Sequence, residues 1–251
     1  MIQVLGKAFD MIDFIAQDPR RRKKLKEIAG HFKMNAGTCA NILQTMVRHK
    51  YLDQADTRGG YLLGPMMYYL SRQSAYRGDL IAAAEEPMGT LAKNVNETVL
   101  LATLRGRERF IILQVEGNQS VQVGRDMFMK DTIYQTATGR LLLAHLGEKE
   151  LKAFMAGNGP PGPSWPEASS VQKLKAALAE IRSRGWVMNR TASGVIGLAY
   201  PVADGARVAA ALGLFLPAFR FKGHHKSAIM AGMAEAAAAI SGRMARAIPK
   251  T

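Results

Sequence analysis

Thr38, Asn41, Thr45 and Arg48 recur at helical spacing within HFKMNAGTCANILQTMVRHKYL, with Gln44 at the edge of the same strip. At about 100° per residue they fall on one side of a helix, while Cys39, Ile42, Leu43, Met46 and Val47 fall on the other. Short hydrogen-bonding side chains ending in an arginine suit base edges and phosphates, and the apolar strip docks the helix on a small core. Any amphipathic surface helix also has a solvated polar face, so the helix alone leaves that reading open. The run Arg20, Arg21, Arg22, Lys23 and Lys24 lies upstream, and such a run meets either solvent or phosphate. Nothing comparable points to catalysis. His31, His49, His145, His224 and His225 have no metal-site spacing, and no G-x-S-x-G, phosphate loop or dinucleotide fingerprint occurs. An enzyme, a metal and other cofactors are therefore not expected.

The elements that must carry these side chains are legible around them. Val4, Leu5, Ala8, Phe9, Ile12 and Ile15 predict a first helix, stopped at Asp18-Pro19 because proline disfavours helical geometry in the residue before it. Leu25, Ile28, Ala29 and Phe32 predict a second, short helix, whose open N-terminal end also attracts anions. After the third helix, Tyr51-Leu52 and Tyr61-Leu62-Leu63 read as two short strands around an Arg58-Gly59-Gly60 turn. This order is that of a winged helix-turn-helix, with Arg58 as the minor-groove or phosphate finger.

The chain of 251 residues holds 34 Lys+Arg against 20 Asp+Glu, a net +14, which favours polyanionic partners. Residues 1–77 hold 13 basic and 6 acidic side chains, leaving 21 and 14 for the longer remainder, so charge density is higher in the N-terminal part. Cys39 is the single cysteine, so neither an internal disulfide nor a thiolate cluster is expected, and the cytoplasm is the simplest address. No charged-then-apolar leader precedes Val4, and nowhere do about 18 apolar residues run together, so no signal peptide or membrane span is expected.

Two domains are expected at this length: residues 1–64 as the winged helix-turn-helix, residues 65–80 as a linker helix, and residues 81–251 as a second domain, with Pro87 interrupting its first helix. In that domain Thr98 to Leu104, Phe110 to Val115, Ile196 to Val202 and Val208 to Phe215 read as strands. Thr136 to Leu146, Glu148 to Met155, Val171 to Arg184 and Ser227 to Ala247 read as helices. Antiparallel strands with helices to one side describe an α+β sensor-like domain.

VLGKAFDMIDFI, NAGTCANIL, HKYL and GGYLLGP, followed in order by TATGRLLLAHL, RGWVMNR, GLAYPVAD and VAAALGLFLP, resemble the IclR family of bacterial transcriptional regulators almost end to end. The resemblance implies an α+β chain: a winged helix-turn-helix joined by a linker helix to a GAF-like effector-binding domain. It implies double-stranded DNA with a pseudo-palindromic operator as a partner, a small effector, a homodimer or dimer of dimers, and control of a catabolic operon. The chain departs from the family in its reading helix, which has Gly37-Thr38 in place of Ser-Thr and Asn41 in place of arginine, so its operator should differ. Lys33 stands where the family's turn has glycine, which either forces it into left-handed geometry or reshapes the turn. The alternative is a metabolite-binding or enzymatic module whose winged helix contacts protein or RNA.

The resemblance also implies that the effector sits between the sheet and the start of the TATGR helix. A helix N-terminus suits a carboxylate, with Ala137 and Thr138 giving backbone donors and Thr136 either a ligand hydroxyl or its own N-cap. The family's ligand-holding serine pair aligns with Gly213 and Phe215, and its frequent cysteine with Gly197. With Met127, Phe128, Met129, Ile133 and Tyr134 upstream, these positions predict a roomy apolar cavity or, equally, ordinary core; Asn189 is the polar wall residue that remains. The expected effector is an organic acid with an apolar or aromatic body.

Overall fold

A computed structural model describes residues 2–54, 59–73, 76–119 and 133–247. The chain divides into two units, Met1–Tyr76 and Arg77–Thr251.

In the first unit, α1 (Gln3–Ala16), α2 (Leu25–His31) and α3 (Ala36–Arg48) close on a core of Met11, Phe14, Ile15, Ile28, Cys39, Leu43 and Met46. The buried strip of α3 is the one its periodicity predicts. That of α1 is not: Met11, Phe14 and Ile15 are inside, whereas Val4, Leu5 and Phe9 of the predicted strip face outward. The antiparallel pair β1 (Leu52–Gln54) and β2 (Tyr61–Leu63) pairs Leu52 with Leu63 and Gln54 with Tyr61, and α4 (Pro65–Gln73) follows. Lys33 resolves the question of the turn, since its φ of 50° is left-handed. The α2–α3 turn therefore keeps the backbone a glycine would adopt easily and strains a lysine instead.

In the second unit, α5 (Gly78–Val95) begins earlier than the sequence suggested and runs through buried Pro87 without interruption. The helix expected over residues 65–80 thus consists of α4 and the first turn of α5. Pro87 removes one N–H but fits helical φ, and burial of its ring offsets that loss. The strands β3 (Val99–Arg105), β4 (Glu108–Val115), β5 (Val187–Arg190), β6 (Val195–Asp204) and β7 (Arg207–Pro217) form an antiparallel sheet in the order β4-β3-β7-β6-β5.

Side chains alternate across this sheet, and both faces are covered. Val99, Leu101, Leu212, Leu214 and Leu216 pack with α5 and the C-terminal α9 (Gly223–Ala247). Leu100, Ala102, Ala211 and Phe215 pack with α6 (Ala137–Ala144), α7 (Glu148–Asn158) and α8 (Val171–Arg184). Helices therefore lie on both sides of the sheet rather than one, which explains why β3 and β7 read as nearly unbroken apolar runs.

Candidate nucleic-acid interface and effector cleft

Asn35 caps α3, its Oδ1 accepting from the Gly37 amide at 2.8 Å. From that start Gly37, Thr38, Asn41, Gln44, Thr45 and Arg48 are all exposed along one face of the helix. The Thr45 hydroxyl donates back to the Asn41 carbonyl at 2.8 Å, so its oxygen can still act as an acceptor.

The cationic run divides in two. Arg20 and Lys24 are exposed, and Arg21 is exposed but paired with Glu27 and, at 3.6 Å, with Asp18. Arg22 reaches Asp53 at 3.5 Å, on the wing. Lys23 departs from its expected role on phosphate: it is 8 % exposed, its ammonium lies 3.5 Å from Glu27 and 4.7 Å from the centre of the Phe14 ring. Backbone pairing is the cause. Lys23 exchanges hydrogen bonds with Tyr61 of β2 at 3.0 and 2.9 Å, and strand alternation then turns its side chain inward and that of Arg22 outward. Arg58 lies outside the described residues.

In the second unit, the first turn of α6 rests directly on the sheet. Thr136 is its N-cap, accepting from the Gly139 amide at 3.1 Å, while the amides of Ala137 and Thr138 have no partner inside the helix. Gly213 and Gly197 make this approach possible. A Cβ at Gly213 would lie 2.5 Å from Thr138 Cγ2 and 2.9 Å from Leu100 Cδ1, and one at Gly197 would lie 2.5 Å from Asn189 Oδ1. The two glycines therefore seat neighbouring side chains instead of leaving the empty space expected at these positions.

Beside this contact opens a cleft of about 980 Å³, lined by Thr136, Ala137, Thr138, Trp165, Asn189 and Phe215 among others. Its wall is more polar than the sequence suggested. Asn189 is 8 % exposed and donates from Nδ2 to the Gln135 carbonyl at 2.6 Å, fixing the approach to α6, while Oδ1 has no hydrogen-bond partner among the described residues. Arg140 donates to the Tyr134 carbonyl at 2.7 Å and stacks 4.3 Å from the Trp165 ring. Burial brings this guanidinium down to about 10, opposed by Glu167, so it stays charged near neutrality. Arg109, which the sequence reading missed, also lines the cleft. Ile133 and Tyr134 belong to the packed cluster around α6, where the Tyr134 hydroxyl donates to the Gly159 carbonyl. Met127, Phe128 and Met129 lie outside the described residues.

Among the described residues, no group of three metal-ligating side chains and no helix long and apolar enough to cross a membrane occurs. Residues 72–242 match the family described as "Bacterial transcriptional regulator IclR C-terminal". The chain belongs to the IclR family. Its relatives include the HTH-type transcriptional regulator XynR of Escherichia coli K12, 27% identical with 85% of this chain and 86% of that protein covered. KdgR of the same organism is 24% identical, with 95% and 91% covered. The IclR structure from Thermotoga maritima matches with a TM-score of 0.72 at 26% identity over 98% of this chain and 100% of that one. An IclR homologue of Microbacterium hydrocarbonoxydans, solved with 4-hydroxybenzoate, matches with a TM-score of 0.74 at 20% identity over 97% and 100%. This IclR chain is thus a ligand-responsive transcriptional regulator and not an enzyme.

Proposed function

We propose that this IclR regulator controls a catabolic operon through a pseudo-palindromic operator, and that its effector is an organic acid with an apolar or aromatic body. Thr38, Asn41 and Thr45 read bases, with Gly37 and Gln44 at the edges of the contact. Arg20, Arg21, Arg22 and Arg48 hold phosphates, as does the wing residue Arg58. The reader works as a dimer, since one winged helix spans only a short half-site.

One observation carries the effector assignment: Ala137 and Thr138, whose amides have no partner inside the helix, line a cleft walled by Trp165, Ile181 and Phe215. The amides suit a carboxylate and the rings suit its body. The 4-hydroxybenzoate in the Microbacterium homologue supports the same class of ligand. Small polar acids such as glyoxylate should fit less well, because they carry no apolar body to cover the Trp165, Ile181 and Phe215 side chains.

Calorimetry tests this assignment with benzoate, 4-hydroxybenzoate, short aliphatic acids, glyoxylate and small dicarboxylates. The aromatic acids should bind and release operator DNA, and Phe215→Ser should shift preference toward the smaller, more polar ones. Tight binding of glyoxylate or dicarboxylates, with none of benzoate-like acids, would overturn the effector assignment and leave the DNA-binding one standing.

A further inference from the structure

Arg109 occupies a position on β4 opposite Leu104 of β3, so its side chain shares the sheet face that carries α6. From there Nη1 donates to Thr138 Oγ1 at 3.5 Å, a long contact that a better acceptor could replace. Thr138 is 5 % exposed and is the second residue of α6. The guanidinium therefore lies beside the turn whose first amides have no partner inside the helix. A positive helix end and a planar fork of donors converge on one end of the cleft.

Two further observations bear on what the cleft takes: its charge favours an anion, and one buried acceptor calls for a hydrogen-bond donor from ligand or water. Arg109, Arg140, Arg184 and Arg190 line the cleft against Glu167 and Glu180 alone among carboxylates of the described residues, which leaves the wall cationic. Asn189 lines it as well, nine-tenths buried, with an acceptor oxygen that nothing among the described residues satisfies. A buried polar atom of this kind is costly unless a ligand or water meets it.

We propose that Arg109 is a specificity-determining residue of the effector site: it clamps the effector's carboxylate against the first amides of α6 and so selects acids over neutral compounds of the same shape. This rests on the organic-acid assignment above. Charge-assisted bonds from a guanidinium are about twice as strong as neutral ones, so loss of Arg109 should fall on the acid and spare its amide.

The full-length protein is titrated with benzoate and benzamide, and with hexanoate and hexanamide, as wild type and as Arg109→Met, Arg109→Gln and Arg109→Lys. The acid that binds wild type should lose tenfold or more in Arg109→Met and Arg109→Gln and less in Arg109→Lys, while its amide changes by less than about twofold. Acid binding should also weaken with added NaCl in wild type and lose most of that dependence in the variants. If Arg109→Met does not fold, judged by circular dichroism, Arg109→Gln and the salt dependence decide. Equal acid affinity in wild type and variants, or equal losses for acid and amide, would overturn the role of Arg109 alone. Failure of both acids to bind wild type would overturn the organic-acid assignment and this proposal with it.

Discussion

At the scale of single residues, the proposed reading face of α3 and the proposed effector cleft depend on different kinds of contact, and their variants should fail differently. Asn41 is exposed on the α3 face, and a bidentate base contact there is worth about 1–3 kcal/mol. Asn41→Ala should therefore lose about that much on the operator and almost nothing on random duplex, measured by competition binding at fixed salt; equal losses on both would remove Asn41 from base reading. Arg20→Ser with Lys24→Ser should weaken every duplex alike and flatten the salt dependence. Gly213→Ala should cost about 1–3 kcal/mol of stability, because its Cβ would meet Thr138 and Leu100 in a packed layer. Gly30→Ala, in α2 with nothing within 4 Å of the new Cβ, is the matched control and should be neutral or slightly stabilising in urea. The polar strip of α3 was legible because helical period alone sorts it. The inward turn of Lys23 was not, since it depends on backbone pairing with Tyr61, 38 positions away.

At the scale of elements, a buried ion pair fixes the corner where β3 starts and β7 hands over to α9. Glu97 is 2 % exposed and accepts from Arg220 Nε and Nη2, both at 2.7 Å, with His225 Nε2 at 3.1 Å. Removing one partner of a buried ion pair costs up to about 3–5 kcal/mol, because the other charge loses its main counter-charge. Glu97→Ala should lower urea stability by about that amount, and Glu97→Gln by less; an unchanged midpoint in both would show that the pair adds nothing to the corner. This corner was invisible in the sequence, where Glu97 and Arg220 stand 123 positions apart. Strand β5 escaped for another reason. Its four residues, VMNR, are too short for a period-two signal, and it is recognised only by its register against β6. By contrast α8 was readable to its ends, with a Ser170 N-cap bonding the Lys173 amide at 3.2 Å and Gly185 as its left-handed C-cap.

At the scale of the whole molecule, the apolar surface that the first unit leaves uncovered bears on assembly. Phe9 is 63 % and Tyr68 71 % exposed, and Ile2, Val4, Leu5, Tyr69 and Leu70 are exposed with them on α1, its leading residue and α4. The apolar repeat of α1 predicts a helix, and a helix forms, but Val4, Leu5 and Phe9 of that repeat face away from the unit's own core. Periodicity reports that a face is apolar and does not say what covers it. If the operator is pseudo-palindromic, as proposed above, a second copy is the occupant this surface calls for, since two joined readers would meet two half-sites with one binding event. Sedimentation velocity at micromolar concentration should therefore show a dimer or a pair of dimers. Phe9→Lys with Leu5→Lys should shift it toward monomer and weaken full-operator binding by at least tenfold, while contact with a single half-site changes little. A monomer in the wild type, alone and with operator DNA, would rule out assembly through these helices and leave operator recognition to a single reader.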